Sequence, residues 1–159
     1  MRLSLQLERS LLKQAKQRAQ KTERLTGSEK NGVYRLKGRI CEISGERIPR
    51  NRSQIAHIRP VAASGRKRLN NLAVLHEDPH AMAHEVADNQ RRKMSRRGKV
   101  VYDELWGDIT ENVHRTAIEL TRASRMSNGE DPRDVYAAEY AKDPETRARI
   151  DNYLNSLEG

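Results

Sequence analysis

Four of the five histidines of the chain, His57, His76, His80 and His84, fall within one short segment. Imidazole is the side chain whose charge changes near neutral pH, and it is the commonest metal ligand. Acid–base or metal chemistry is therefore to be sought here first. His80 and His84 stand four residues apart, just after Asp78-Pro79. Asp as N-cap and Pro at the first helical position make a strong helix start. The spacing then puts both imidazoles on one helix face, where they can share a Zn²⁺-like ion at about 2 Å from each nitrogen. A lone histidine is usually structural; this density asks for a shared task.

The elements that must hold these residues can be read from periodicity. Leu3, Leu7, Leu11, Ala15 and Ala19 recur every four residues and predict a helix over 3–25, ended by Gly27, Asn31 and Gly32. Its stripe is expected to pack on the rest of the protein. Brief strands are expected at Val33-Tyr34, Arg39-Ile40-Cys41 and Ile55 to Ile58, separated by turns at Ser44-Gly45 and Asn51-Arg52-Ser53. The polar loop Ser64 to Arg68 leads to a further strand, Leu72-Ala73-Val74-Leu75, and then to the helix from Pro79 to about Lys93. Val101, Leu105, Ile109, Val113 and Leu120 mark the next helix face. Asp131-Pro132 and Asp143-Pro144 repeat the helix start, and Ile150, Tyr153, Leu154 and Leu157 give a terminal helix. The expected organisation is a helical arm over 1–32, a core over 33–99, and helices over 100–159 packed on that core.

Length and composition narrow the function. The 159 residues suit about one domain and contain no Phe, so the core must be Leu, Ile, Val and Ala with Trp106 and a few Tyr. Lys and Arg outnumber Asp and Glu by 31 to 22, a net charge of +9 that favours a polyanionic partner. Cys41 is the only cysteine, so an intrachain disulfide is excluded. With no apolar run near the roughly 20 residues a bilayer span needs and no signal-peptide pattern, the expectation is a cytoplasmic protein without a membrane partner.

Around the histidines the sequence resembles the HNH, or ββα-metal, endonucleases. The segment Ile55-Ala56-His57-Ile58-Arg59-Pro60 is similar to the first strand of that family, and Asn71-Leu72-Ala73-Val74-Leu75 to its Asn-Leu strand. His80 occupies the third signature position, and His84 resembles the His-x-x-x-His variant of the DNase colicins. The resemblance covers about residues 39–90. It implies an α+β fold: a ββα-metal motif with short antiparallel strands, flanked by an N-terminal helix and C-terminal helices. It also implies a metal-dependent endonuclease that hydrolyses DNA phosphodiester bonds. In that scheme His57 is the general base, a role imidazole suits because it is neutral yet basic at pH 7. Asn71 holds the His57 ring through its amide. His80 and His84 hold a single divalent ion (Mg, Mn, Ni or Zn), which stabilises charge on the scissile phosphate.

The chain departs from the family pattern at two places. Ala56 stands where the family has a metal-binding Asp or His. Three explanations are open: a ligand from elsewhere, such as Gln54 on the same strand face; a metal recruited only with DNA; or a site inactivated by evolution or design. Many relatives also hold a structural zinc with two Cys-x-x-Cys pairs. The matching positions here are Cys41, Ser44, His76 and Pro79, so no structural zinc is expected, and Cys41 is read as a small buried residue.

DNA contacts, mainly to phosphates, are expected from Arg59, from Arg66, Lys67 and Arg68, and from Arg91, Arg92, Lys93, Arg96, Arg97 and Lys99. His114 has no evident partner and reads as structural. The alternative function is a DNA-binding accessory with a degenerate, non-cleaving HNH site. A protein–protein module built on the helical arms is the third reading.

Overall fold

The computed structural model describes residues 2–158, without the side chains at 2–4, 15, 16, 19, 20, 142, 157 and 158. In chain order the elements are α1 (Arg2–Glu23), α2 (Gly27–Lys37), β1 (Ser53–His57), β2 (Leu72–His76), α3 (Glu77–Lys93), α4 (Glu104–Ser127), α5 (Pro132–Val135), α6 (Ala137–Lys142) and α7 (Pro144–Glu158). The fold is α+β, a small two-stranded antiparallel sheet with flanking helices.

Leu72, Ala73, Val74 and Leu75 of β2 are all buried. An unbroken apolar run of this length is what a strand covered on both faces requires. It pairs antiparallel with β1, Ile55 opposite Val74 and His57 opposite Leu72. A two-stranded ribbon alone is marginal in water, and here side chains satisfy its outer edge. Lys37 Nζ donates to the Leu72 carbonyl at 2.7 Å, and the Glu42 carboxylate accepts the Val74 N–H at 2.6 Å. The Glu42 N–H donates back to the Val74 carbonyl at 2.9 Å. Lys37 and Arg122 flank the Glu42 carboxylate, so the charges at this edge are paired. Val33, Cys41, Ile48, Ile58 and Ile118 complete the core around the ribbon.

Several expectations are corrected. Val33-Tyr34 lies in helix α2, and the expected boundary at 32–33 falls inside that helix. Gly27 and Gly32 weaken a helix by about 1 kcal/mol each relative to Ala. A reciprocal cap offsets this: Thr26 Oγ1 accepts the Glu29 N–H, and Glu29 accepts the Thr26 N–H. Arg39-Ile40-Cys41 forms only a single bridge, Ile40 to Arg47, because the chain turns back at once through the positive-φ Gly45.

The α1 stripe is not packed: Leu7 and Leu11 are more than half exposed, as are Leu5 and Leu12, while Leu3, Ala15 and Ala19 lie outside the described side chains. Val33 and Ile118 already fill the core around the ribbon, and α1 is held at its C-terminal end through Glu23. The buried face of α4 is Trp106, Gly107, Thr110, His114 and Ile118, not the stripe of large aliphatics; Val101, Leu105 and Leu120 are exposed. Small residues decide that contact, because a Cβ on Gly107 would come 2.3 Å from Ala63 Cβ.

The helix starts are closer to expectation. α3 begins at Glu77 with His76 as its cap, Nδ1 accepting the Asp78 N–H at 3.0 Å. Pro79 thus sits in the first turn but not at its first position. Any first-turn proline gives up only an N–H that has no helical partner. Asp131 caps α5, and Asp143 Oδ1 accepts the Glu145 N–H at the start of α7. No helix among the described residues is long and apolar enough to cross a membrane.

Asp103 joins α3 to α4. It caps α4 through the Trp106 N–H and forms a two-point ion pair with Arg91, at 3.0 and 2.7 Å. The hydrogen bonds from Arg91 and then from Trp106 hold its carboxyl well below the usual carboxylate range. A depressed folded pKa gives stability that is complete above the unfolded value, near 3.9, and is lost as pH falls towards the folded value. Asp103→Asn should therefore lower the melting temperature at pH 7. The gap from the parent should stay constant between pH 5 and 8 and shrink below about pH 4; thermal unfolding across pH checks this.

Candidate metal centre

β1 alternates its side chains, so Gln54 and Ala56 share one face and Ile55 and His57 the other. Gln54 reaches α3: its Oε1 accepts a hydrogen bond from His80 Nδ1 at 2.7 Å. That bond fixes the His80 tautomer and leaves Nε2 as the ring's acceptor nitrogen. One turn along α3, His84 Nε2 lies 3.0 Å from His80 Nε2.

The third member comes from α4. His114 is fully buried, with ring centroids 5.7 Å from His80 and 5.3 Å from His84. Its Nδ1 donates to the Thr110 carbonyl at 2.8 Å, and its Nε2 has no hydrogen-bond partner. Ligand nitrogens of His80, His84 and His114 all lie within 4.8 Å of one another.

These donors fit a divalent transition metal. Two nitrogens about 2.05 Å from one tetrahedral ion are about 3.3 Å apart, close to the His80–His84 separation. Burial pushes the His80 pKa down to about 4, helped by the neighbouring imidazoles. Burial also lowers His84, against the pull of Asp88. His114 is lowered by burial, against its bond to the Thr110 carbonyl. All three rings are therefore neutral at pH 7, the form that binds metal. The buried, unpaired His114 Nε2 costs about 1–3 kcal/mol without a partner, and an ion would supply one.

His57 and Asn71 sit apart from this convergence. His57 Nε2 donates to the Glu23 carbonyl at 2.9 Å, on the strand face away from Gln54. Asn71 does not hold the His57 ring. Its Oδ1 accepts the Arg59 N–H at 2.7 Å, and its Nδ2 donates to the carbonyls of Arg59 and Arg66 at 3.1 and 2.8 Å. It clamps the β1–β2 loop, whose return is so tight that a Cβ on Gly65 would lie 1.8 Å from the Arg59 carbonyl oxygen. Ala56 is buried, and Gln54 orients His80. Cys41 is buried and free, its Sγ accepting the Ser44 N–H.

The basic residues divide into two groups. Arg59 is held by Glu104, Asp108 and Glu111 of α4, whose bonds raise its pKa. Lys67 pairs with Glu29, Arg91 with Asp103, and Arg92 donates to Asn89. Arg59, Lys67 and Arg91 hold elements together, whereas the Arg92 bond stays within α3; Arg59 and Arg91 have little charge left for a phosphate. Arg66, Arg68, Lys93, Arg96, Arg97 and Lys99 are exposed and form no ion pair among the described residues.

His114 is the residue that sequence reasoning missed. The available signal was its place four residues after Thr110 and four before Ile118, a core-facing row that becomes visible only once α4 is phased on its small residues. Comparison with family models, curated proteins and solved structures gave no match for this chain.

Asn71→Ala should cost about 1–3 kcal/mol, because three partly buried backbone groups lose their partner. Denaturant unfolding measures this; a loss below about 0.5 kcal/mol, as at ordinary surface sites, would show that the loop holds itself.

Proposed function

We propose that the chain is a metal-dependent endonuclease of the HNH type that hydrolyses DNA phosphodiester bonds. The observation that carries the reading is the convergence of three imidazoles at a strand–loop–strand–helix unit. In register with it are His57, Asn71, His80 and His84, the positions on which the resemblance rests. The net charge of +9 supports a polyanionic substrate.

His80, His84 and His114 would hold the ion, with a fourth position left for water or substrate. A divalent ion there supplies Lewis acidity towards a phosphate oxygen and the leaving oxygen. His57, the general base that the resemblance implies, would have to leave the Glu23 carbonyl and turn from the strand face away from Gln54 to take a proton from water at that ion. Asn71 keeps the loop after His57 in one conformation. Arg66 and Arg68 on that loop, Lys93 at the end of α3, and Arg96, Arg97 and Lys99 after it would carry the phosphate contacts.

The second reading, a DNA-binding accessory that does not cleave, is favoured by two observations. The His57 ring is tied to α1, and Ala56 offers no ligand.

Supercoiled plasmid with Mg²⁺, Mn²⁺, Ni²⁺ or Zn²⁺ separates the two readings. The nuclease reading expects nicking that His80→Ala and His57→Ala each reduce by at least about 100-fold. No cleavage with any of the four ions, alongside salt-sensitive DNA binding, would leave the accessory. In either case Arg96→Ala with Arg97→Ala should flatten the slope of log K against log salt by about 0.9 for each phosphate left without its cation. An unchanged slope would remove these residues from the interface.

A further inference from the structure

We infer that His114 completes a Zn²⁺-type site in place of the ligand that Ala56 does not supply, so that the bound ion clasps α4 onto the strand–helix unit. The inference rests on the reading of the three histidines as a metal centre and does not depend on DNA cleavage.

Three observations support it independently. His114 is wholly buried, with Nδ1 spent on the Thr110 carbonyl and Nε2 left unpartnered. A buried acceptor without a donor is rare in a folded protein and asks for an unseen partner. That nitrogen belongs to a ring facing two further imidazoles, at centroid distances of 5.3 and 5.7 Å, rather than an apolar wall. Finally, Gln54 on β1 fixes the His80 tautomer that presents Nε2. Metal-binding histidines commonly have their other ring nitrogen held in this way.

The donor set also names the class of ion. All three groups are imidazole nitrogens. Mg²⁺ and Ca²⁺ prefer oxygen ligands, whereas imidazole suits Zn²⁺ and its neighbours Ni²⁺ and Cu²⁺. Asp88, one turn beyond His84, gives its Oδ1 to the Trp106 indole N–H at 2.8 Å and so ties α3 to α4 next to the site.

The architecture gives the site a second consequence. His80 and His84 belong to α3, directly after β2, whereas His114 lies on α4, beyond the 94–103 connection. An ion bound by all three therefore cross-links two elements that are otherwise joined by Arg91–Asp103, Asp88–Trp106 and apolar packing. Binding energy at such a site becomes stability of the α3–α4 pair.

The test uses the full chain, stripped with a chelator and titrated with Zn²⁺, with Mg²⁺ in parallel. Zn²⁺ should bind with one-to-one stoichiometry. At a hundredfold excess over its Kd it should raise the melting temperature by about 5–10 °C, while millimolar Mg²⁺ leaves it unchanged. Amide exchange in α4 around residues 110–118 should slow on adding Zn²⁺. His114→Gln keeps side-chain bulk and polarity; it should weaken Zn²⁺ at least about 100-fold and remove the α4 protection. Gln54→Leu, which leaves all three ligands in place, should weaken Zn²⁺ by about 10–100-fold.

Zn²⁺ affinity and α4 exchange that His114→Gln leaves unaltered would overturn the inference, as would absence of Zn²⁺ binding by the parent. Zn²⁺ bound as described by a protein that cuts no plasmid would remove the nuclease and leave the clasp standing.

Discussion

A buried imidazole with an unpaired nitrogen is expensive, and the position of α4 depends on how that cost is met. His114 could lie in a hydrocarbon core only as a neutral ring, and one of its nitrogens is satisfied by the turn before it. The other faces His80 and His84. For it to do so, α4 must approach closely, and the absence of a side chain at Gly107, packed against Ala63, permits this. The contact places a C-terminal helix against the strand–helix unit, which without it offers two histidines and an alanine where its family resemblance leads one to expect a third ligand.

Charge follows the same division between holding and reaching. The net charge of +9 suggests a surface open to a polyanion, yet several of the cations nearest the loop and α3 serve inside the fold. Arg59 gathers three carboxylates of α4, Arg91 locks Asp103, and Lys37 with Arg122 surrounds Glu42 at the edge of the ribbon. Partly buried pairs of this kind fix the relative positions of elements, because breaking one strands a charge away from water. Among the described residues Arg66 and Arg68 on the loop, Lys93 at the end of α3, and Arg96, Arg97 and Lys99 beyond it form no such pair, and the proposed phosphate contacts lie there.

The unit around the histidines was the most legible part of the sequence. β2 showed itself as an apolar run, β1 as its partner, and α3 through Asp78-Pro79, because each signal is local and agrees with its tertiary surroundings. α2 was hidden: two glycines argued for a turn, and only the Thr26-Glu29 cap and the burial of Val33 decide for a helix. α4 was legible as a helix but not in phase, since its contact face is set by Gly107, Thr110 and His114 rather than by its leucines. His114 was missed for that reason. A ligand contributed by a distant helix has no spacing to announce it, whereas His80 and His84 announce themselves at four residues. Asn71 was found by register, but its bonds run to the loop backbone, which no linear pattern distinguishes from a bond to a ring.

The central claim is that His80, His84 and His114 bind one ion together, and X-ray absorption at the zinc edge tests it most directly. For the Zn²⁺-loaded protein the account predicts three imidazole nitrogens at about 2.0–2.1 Å with one oxygen ligand completing four, falling to two imidazoles in His114→Gln. A six-coordinate oxygen shell, or the same two imidazoles in the parent and in His114→Gln, would contradict it.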